Sequence, residues 1–131
     1  MITRSGAQPS TPGPAESFTG DVTIQPLFGA EDAAPYTGAA VTFTAGARTA
    51  WHIHPGGQRL VVTDGVGRTQ QWGGPVEELR AGDVIWCPPG VRHWHGAGPD
   101  GPMTHLALTS VRDGQVVEWL EHVTDEAYNA I

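Results

Sequence analysis

The chain has 131 residues and a formal net charge of −7, with only 7 lysines and arginines. This length suits one domain with its own hydrophobic core, and the acidic balance argues against nucleic acid or an anionic membrane surface as a partner. The single cysteine, Cys87, excludes an internal disulfide and is interpreted as a small buried apolar residue. No leader-like segment or membrane-length apolar run is visible, so we expect a cytoplasmic protein.

The first segment of the chain is rich in proline and in small polar residues. Residues 5–14 read Ser-Gly-Ala-Gln-Pro-Ser-Thr-Pro-Gly-Pro, a composition typical of a mobile or extended segment and not of a packed core. We therefore predict a mobile N-terminal arm over residues 1–16, followed by a single domain over residues 17–131.

The rest of the chain consists of short runs rich in β-branched and aromatic residues, separated by glycine and proline. The runs that predict strands cover residues 18–24, 39–44, 51–54, 58–65, 66–72, 84–87, 91–95, 103–109 and 115–120. Asp113-Gly114 predicts a hairpin turn before the last run. With 18 glycines and 11 prolines, this pattern predicts an all-β fold, an antiparallel barrel or sandwich. An N-cap residue and two acids over residues 124–128 predict a short C-terminal helical turn.

Two histidine pairs are the most informative feature of the sequence. His52 and His54 are separated by one residue, as are His93 and His95, and side chains two positions apart in a strand leave the same face. Each pair lies next to a Pro/Gly turn, and the turn after the first pair brings Gln58 toward the side of the histidines. Three imidazoles and an amide oxygen in this arrangement predict a mononuclear metal site. The alternative is that these are ordinary strand histidines, which would not explain the repeated pattern.

Histidines that do not bind the metal are candidates for acid/base catalysis. His95 shares a face with His93 in an extended strand, and His105 shares parity with Thr109. Imidazoles beside a metal suit proton transfer near neutral pH. We therefore predict His95 and His105 as catalytic residues, with a structural role in the barrel wall as the alternative for each.

The remaining large or ionisable side chains have simpler interpretations. Trp51, Trp86 and Trp94 are predicted to be core residues or pocket walls. His122 follows the last strand in a charged tail and is predicted to lie on the surface.

The histidine segments resemble the two sequence motifs of the cupins. The first motif is matched by Gly46, five residues, His52-Ile53-His54, three residues, Gln58, six residues and Gly65. The second motif is matched by Gly82, five residues, Pro88-Pro89-Gly90, two residues and His93. Gln58 stands where most cupins have glutamate, and Ala97 replaces the usual terminal asparagine. The resemblance implies a jelly-roll β-barrel that holds a metal inside through His52, His54, Gln58 and His93.

A narrower resemblance covers nearly the whole chain. The segments at residues 46–52, 93–97, 103–107 and 121–126 are similar to those of the bacterial cupin hydroxynitrile lyases. Those enzymes depend on manganese and cleave and form cyanohydrins such as mandelonitrile. The resemblance implies a lyase with manganese as its metal ion. The mixed nitrogen and oxygen donors also suit iron, nickel or zinc, and iron is the second choice.

Several functional alternatives stay open from the sequence. With Gln58 the centre has no anionic ligand, so the full charge of a divalent ion would acidify a bound hydroxyl. His95 or His105 would then take its proton. An iron-dependent dioxygenase and a non-catalytic small-molecule-binding cupin are the alternatives. The expected partners are a small-molecule substrate and further copies of the chain, in a homodimer or homotetramer.

Overall fold

The computed structural model describes residues 1–131 and consists of short strands with one short helix. The elements are β1 (Thr11–Pro12), β2 (Phe18–Thr19), β3 (Val22–Phe28), β4 (Tyr36–Phe43), β5 (Arg48–Thr49), β6 (His52–Ile53), β7 (Gln58–Gln71), β8 (Val76–Arg80), β9 (Val84–Cys87), β10 (His93–Ala97), β11 (Met103–Ser110), β12 (Glu118–Trp119) and α1 (Asp125–Tyr128). All strand pairs are antiparallel. The predicted all-β antiparallel barrel is therefore confirmed.

The sheet curls so that its two halves face each other. Neighbouring strands follow the order β1-β3-β4-β11-β7-β10-β5-β2. The two-residue strand β6 pairs with both β10 and β12 at the side of this path. These pairings bring the two histidine segments next to each other.

The long strand β7 belongs to both halves of the barrel. Its first half pairs with β9 and β11, and its second half pairs with β8 and β10. Gly65 lies where the partners change, with a φ of +79° and a backbone so close that an added Cβ would lie 2.1 Å from the carbonyl oxygen of Pro102. The predicted strand end at Gly65 is wrong, because the glycine bends the strand without ending its pairing.

The fold contains two larger apolar clusters and a small third one, which consists of Leu60, Cys87 and Ala107. The cluster inside the barrel consists of Phe18, Val22, Val41, Phe43, Ala47, Val62, Leu79, Ala97 and Met103. The second cluster packs the C-terminal segment onto the outside of the barrel and consists of Trp51, Val76, Trp94, Val123 and Tyr128. The first cluster reaches the histidine-lined cavity described below.

The C-terminal segment is held by a set of polar contacts that we call the C-terminal clasp, formed by Arg48, Ala97, Val123, Asp125 and Tyr128. Arg48 Nη2 donates to the carbonyl of Val123 at 2.8 Å and to Asp125 Oδ1 at 2.7 Å. The Tyr128 hydroxyl donates to the carbonyl of Ala97 at 2.7 Å. The predicted helical turn is confirmed as α1, and its residue Tyr128 is a packed part of the fold.

The segment predicted as an N-terminal arm is extended and exposed along most of its length. Its strand β1 pairs with β3 at the edge of the sheet. The Gln25 side chain accepts a hydrogen bond from the Ser10 hydroxyl at 2.5 Å and donates one to the carbonyl of Gln8 at 2.6 Å. The arm is thus anchored to the sheet edge, and its boundary at residue 16 stays a prediction.

The tryptophan predictions are confirmed in two of three cases. Trp94 and Trp51 are core residues, but Trp86 is 44% exposed on the outside of β9, where the Arg59 guanidinium lies 4.9 Å from its ring centre. The strand β9 is apolar throughout, so its sequence has no alternation that would identify the inward side chains. Cys87 at its end is buried, as predicted.

The only helix, α1, covers four residues. No helix of the structure has the length and apolar character needed to cross a membrane.

Candidate metal centre

Antiparallel pairing brings the two histidine segments together. β6 and β10 are neighbours, and His93 is the direct partner of His52. The ring centres of His52 and His93 are 4.2 Å apart, and those of His52 and His54 are 4.8 Å apart. All three side chains are buried. The predicted convergence of these histidines on one point is what the structure shows.

Backbone carbonyls fix the orientation of the three imidazoles. Nδ1 lies 2.8 Å from the carbonyl of Ala50 in His52, 2.8 Å from that of Val116 in His54, and 3.0 Å from that of Val91 in His93. A carbonyl oxygen only accepts, so each Nδ1 carries the proton and each Nε2 keeps a free lone pair. This arrangement is typical of metal-binding histidines, in which the second nitrogen is held by a hydrogen bond.

Gln58 begins β7 and joins the same cavity. Its Nε2 donates to the Thr109 hydroxyl oxygen at 2.9 Å, and its Oε1 is buried without a hydrogen-bond partner. Nε2 of His54 and Nε2 of His93 are also buried and unpaired. Unpaired buried acceptors are costly, so their convergence in one cavity indicates a cation as the missing partner.

His95 lies closer to this group than its predicted catalytic role requires. The ligand atoms of His52, His54, His93 and His95 all lie within 4.8 Å of one another. Nitrogen and neutral oxygen donors of this kind fit a divalent metal ion. The structure thus brings the four predicted ligands and His95 to one place, and the choice of Gln58 over His95 as a ligand stays a prediction.

The histidines of the candidate centre are uncharged near neutral pH. Burial lowers the pKa of His93 to about 4. The pKa of His52 is lowered well below its usual value, first by burial and then by repulsion from His93 and His54. Neutral imidazole is the form that binds a metal, so the site needs little proton release to take one up.

His95 and His105 form a buried pair at the edge of this group. His105 Nε2 and His95 Nδ1 are 2.9 Å apart, and both rings are fully or almost fully buried. Each neutral imidazole carries one N–H, and one of these two nitrogens must donate to the other. The ring that donates therefore keeps its second nitrogen unprotonated, so in either tautomer the pair has one free lone pair outside its mutual hydrogen bond. Burial lowers the pKa of His105 to about 4 and that of His95 well below its usual value.

The cavity that leads to the histidines is open and largely apolar. Its volume is about 150 Å³, and it is lined on one side by an aromatic wall, which we define as Phe18, Phe43 and Trp119. The Phe43 ring centre is 5.3 Å from that of His105, and the Trp119 ring centre is 4.8 Å from that of His52. An apolar planar group entering this cavity would therefore meet the aromatic wall beside the candidate metal ligands and the histidine pair.

Trp119 is a cavity-lining residue beside the candidate metal centre that the sequence did not reveal. It is 39% exposed and lies on β12, where it is the direct partner of His52. The predicted strand over residues 115–120 is reduced in the structure to β12, while Val116 and Val117 line the cavity. The only available signal was the apolar content of this run. His122 is exposed, as predicted.

The fold and the site together define a class of protein: a single-domain antiparallel β-barrel with a histidine-rich donor set of metal-binding type in its interior. The family described as "Cupin domain" matches residues 39–109. The chain belongs to the cupin family, and the predicted membership is confirmed.

Individual relatives narrow the comparison. The chain is 58% identical over 127 residues to the (R)-mandelonitrile lyase of Granulicella tundricola, with 97% of each chain covered. It is 42% identical to a cupin-like protein from Thermotoga maritima, with 90% of each chain covered and a TM-score of 0.85. A cupin-2 domain from Rhodospirillum rubrum shares the fold at 16% identity and a TM-score of 0.73, with 97% of this chain and 82% of that chain covered.

Proposed function

We propose that this protein is a metal-dependent hydroxynitrile lyase that cleaves cyanohydrins to an aldehyde and hydrogen cyanide and catalyses the reverse addition. The observation that best supports this proposal is a group of buried, uncharged metal-binding side chains. They lie beside a hydrogen-bonded histidine pair in a partly aromatic cavity. The chain also shares 58% identity with a mandelonitrile lyase over almost its whole length.

The donor set favours a divalent ion, and we propose manganese, with iron, nickel and zinc as alternatives. His52, His54, His93 and Gln58 would hold it, because their Nε2 and Oε1 atoms point away from their hydrogen-bonded ends. A bound ion would supply Lewis-acid stabilisation of the negative charge that develops on the cyanohydrin oxygen. Gln58 adds no negative charge to the set, so this stabilisation would be undiminished.

The histidine pair would accept the proton of the substrate hydroxyl and later donate it to cyanide. At neutral pH both rings are uncharged, since burial holds the pKa of His105 at about 4 and lowers that of His95. The free nitrogen of the pair can accept the proton of the substrate hydroxyl. As the bond between the carbinol carbon and the nitrile carbon breaks, its electron pair leaves with cyanide. The protonated pair, a strong acid in this environment, then protonates the cyanide.

The cavity walls support an aryl-substituted substrate. Phe18 and Trp119 have ring centres 5.6 Å apart and line the same cavity as His52. Aromatic rings gain from tilted and offset contacts with such a wall, in addition to the gain from burial. The hydroxyl and nitrile ends of the substrate would then lie toward the histidines.

One purified sample can test this function. Elemental analysis should find one divalent ion per chain, and mandelonitrile cleavage should proceed without oxygen and faster than cleavage of an aliphatic cyanohydrin. A protein that contains iron, consumes oxygen and leaves cyanohydrins intact would instead be a dioxygenase. A metal-containing protein inert in both assays would be a binding protein.

We also propose that the chain assembles as a homodimer or homotetramer. Val84 and Trp86 on β9 are 59% and 44% exposed, and adjacent apolar side chains of this size favour association. Light scattering should give the mass of two or four chains at micromolar concentration. A single-chain mass would contradict this proposal.

A further inference from the structure

His95 lies at the candidate centre together with the four predicted ligands. One ligand atom of His95 lies within 4.8 Å of the ligand atoms of the other three histidines of the group, His52, His54 and His93. His95 is only 4% exposed. Position and burial therefore do not separate His95 from the predicted histidine ligands.

The two ring nitrogens of His95 have different surroundings. Nδ1 lies 2.9 Å from Nε2 of His105, whereas Nε2 is buried without a hydrogen-bond partner. The three predicted histidine ligands are held in a similar way, with Nδ1 beside a backbone carbonyl. When Nδ1 of His95 donates to His105, Nε2 keeps a free lone pair, which is the form that binds a metal.

His105 does not share this position. Its Nδ1 is also buried and unpaired, but His105 is not part of the group of histidines whose ligand atoms lie close together. The centre thus offers five candidate donors, which are the nitrogens of His52, His54, His93 and His95 and the amide oxygen of Gln58.

The two donors that complete the set of three histidines differ in their chemistry. Imidazole nitrogen suits zinc, whereas carbonyl-type oxygen suits manganese. Zinc usually binds four ligands in a tetrahedron, and bonds of about 2.1 Å place the four nitrogens about 3.4 Å apart. Rotation of the rings would bring nitrogens that now lie within 4.8 Å of one another to this separation.

We infer that the identity of the metal decides which side chain completes the centre: Gln58 for Mn²⁺ and His95 for Zn²⁺. The inference rests on the proposed metal centre, in which the three other histidines are common to both forms. His95 also belongs to the histidine pair that accepts a proton in the proposed reaction. Its Nε2 would be free in the Mn²⁺ form and occupied in the Zn²⁺ form.

The direct test compares Zn²⁺ and Mn²⁺ binding to metal-free wild type and to H95F, which keeps an aromatic ring and removes both nitrogens. H95F should weaken Zn²⁺ binding by about 100-fold, because four ligands share the binding free energy and one is lost. It should change Mn²⁺ binding by less than about threefold, as expected for a side chain that is not a ligand. Competition with a chelating dye measures Zn²⁺ affinity, and electron paramagnetic resonance titration of free Mn²⁺ measures Mn²⁺ affinity.

The reciprocal variant is Q58L, which keeps a side chain of similar length and removes the amide. By the same reasoning it should weaken Mn²⁺ binding by about 100-fold and Zn²⁺ binding by less than about threefold. If H95F does not fold, H95A gives the same comparison. An equal loss of Zn²⁺ and Mn²⁺ affinity in the His95 variant would overturn the inference.

X-ray absorption at the metal edge counts the bound imidazoles without reference to affinity. Wild type should show four imidazoles around Zn²⁺ and three around Mn²⁺, and H95F should show three around Zn²⁺. Wild-type protein that binds Zn²⁺ through three imidazoles would overturn the inference.

His105 provides the matched control, because it is equally buried and contacts His95. H105F removes the partner of Nδ1 but no ligand nitrogen, so it should weaken Zn²⁺ binding by only about 10-fold, the smaller loss typical of a residue that orients a ligand. Equal losses in H95F and H105F would overturn the role of His95 as a ligand. Wild-type protein that binds neither metal would remove the metal centre itself. None of these measurements uses a cyanohydrin, so failure of the proposed reaction would leave their outcome unchanged.

Discussion

The candidate metal centre and the C-terminal clasp both contain buried polar groups, but most of these groups are hydrogen-bonded in the clasp and unpaired in the centre. In the clasp, Arg48 leaves only Nε unpaired, and the Tyr128 hydroxyl has a carbonyl partner. In the centre, five nitrogen or oxygen atoms are buried with no partner: His54 Nε2, Gln58 Oε1, His93 Nε2, His95 Nε2 and His105 Nδ1. Paired polar groups stabilise a fold, whereas unpaired ones lower its stability until a ligand arrives.

We therefore expect the clasp to contribute mainly to the stability of the barrel and the centre to contribute mainly to its function. Mutations in the clasp should lower the free energy of unfolding and leave chemistry intact. Mutations in the centre should remove metal or chemistry and change stability much less. The predictions below test this separation, from the largest expected effect to the smallest.

Replacing a metal ligand should have the largest effect. H52A removes an Nε2 that is oriented by the Ala50 carbonyl, so we expect stoichiometric metal and cyanohydrin cleavage to be lost together. Metal content by elemental analysis and the rate of mandelonitrile cleavage measure the two losses. An H52A protein with a full complement of metal would show that the ligand assignment is wrong.

Replacing the predicted base should remove chemistry while leaving metal in place. H105A should lower the rate of cleavage by roughly 10²- to 10⁴-fold, the usual cost of losing a general base. Metal content should stay near one ion per chain. H122A removes an exposed histidine and serves as the control. If H105A lost stability but kept its rate, His105 would be a structural residue of the barrel wall.

Acid should destabilise the metal-free protein because the buried histidines of the candidate metal centre resist protonation in the folded state. The pKa of His93 and that of His105 are each about 4, because both rings are buried, whereas an unfolded histidine has a pKa near 6.5. Between these values the unfolded chain binds more protons than the folded one, so the free energy of unfolding falls as the pH falls. The expected loss from pH 7 to pH 4 is about 3 kcal/mol for each of these histidines.

Urea unfolding of the metal-free protein at several pH values measures this slope. H105A should show a shallower slope than wild type, because it lacks one of the shifted groups. A clasp variant should keep the wild-type slope. A stability that does not depend on pH between 4 and 7 would mean that these histidines are not buried in the metal-free protein.

The smallest expected effect belongs to the clasp. Y128F removes the hydroxyl that donates to the Ala97 carbonyl and should lower the free energy of unfolding by about 1 kcal/mol. Urea unfolding measures this change. Metal content and the cleavage rate of the folded protein should stay at the wild-type values, and a loss of either would show that the two regions are coupled.

The convergence of the donor set was predictable because it depends on local geometry. Strand parity places His52 and His54 on one face of their strand, and it does the same for His93 and His95. The spacing of the cupin motifs then predicts that both pairs and Gln58 meet at one site. Parity could not separate His93 from His95, since both leave the same face. The structure distinguishes them, because His95 lies within hydrogen-bonding distance of His105 on another strand.

Features that depend on distant pairing were not predictable. Trp119 reaches the centre only because β12 pairs with β6, a contact between segments 66 residues apart in the chain that no local pattern encodes. The continuity of β7 was missed because Gly65 has the sequence signature of a turn while its φ of +79° serves a bend inside a strand. Long-range packing decided both cases.

The most direct test of the metal centre is an anomalous difference map from crystals grown with Mn²⁺. We predict one peak within bonding distance of Nε2 of His52, His54 and His93 and of Gln58 Oε1, with His95 and His105 outside bonding distance and still hydrogen-bonded to each other. The absence of a peak, or a peak bound by His95 and out of reach of Gln58, would contradict the proposed centre.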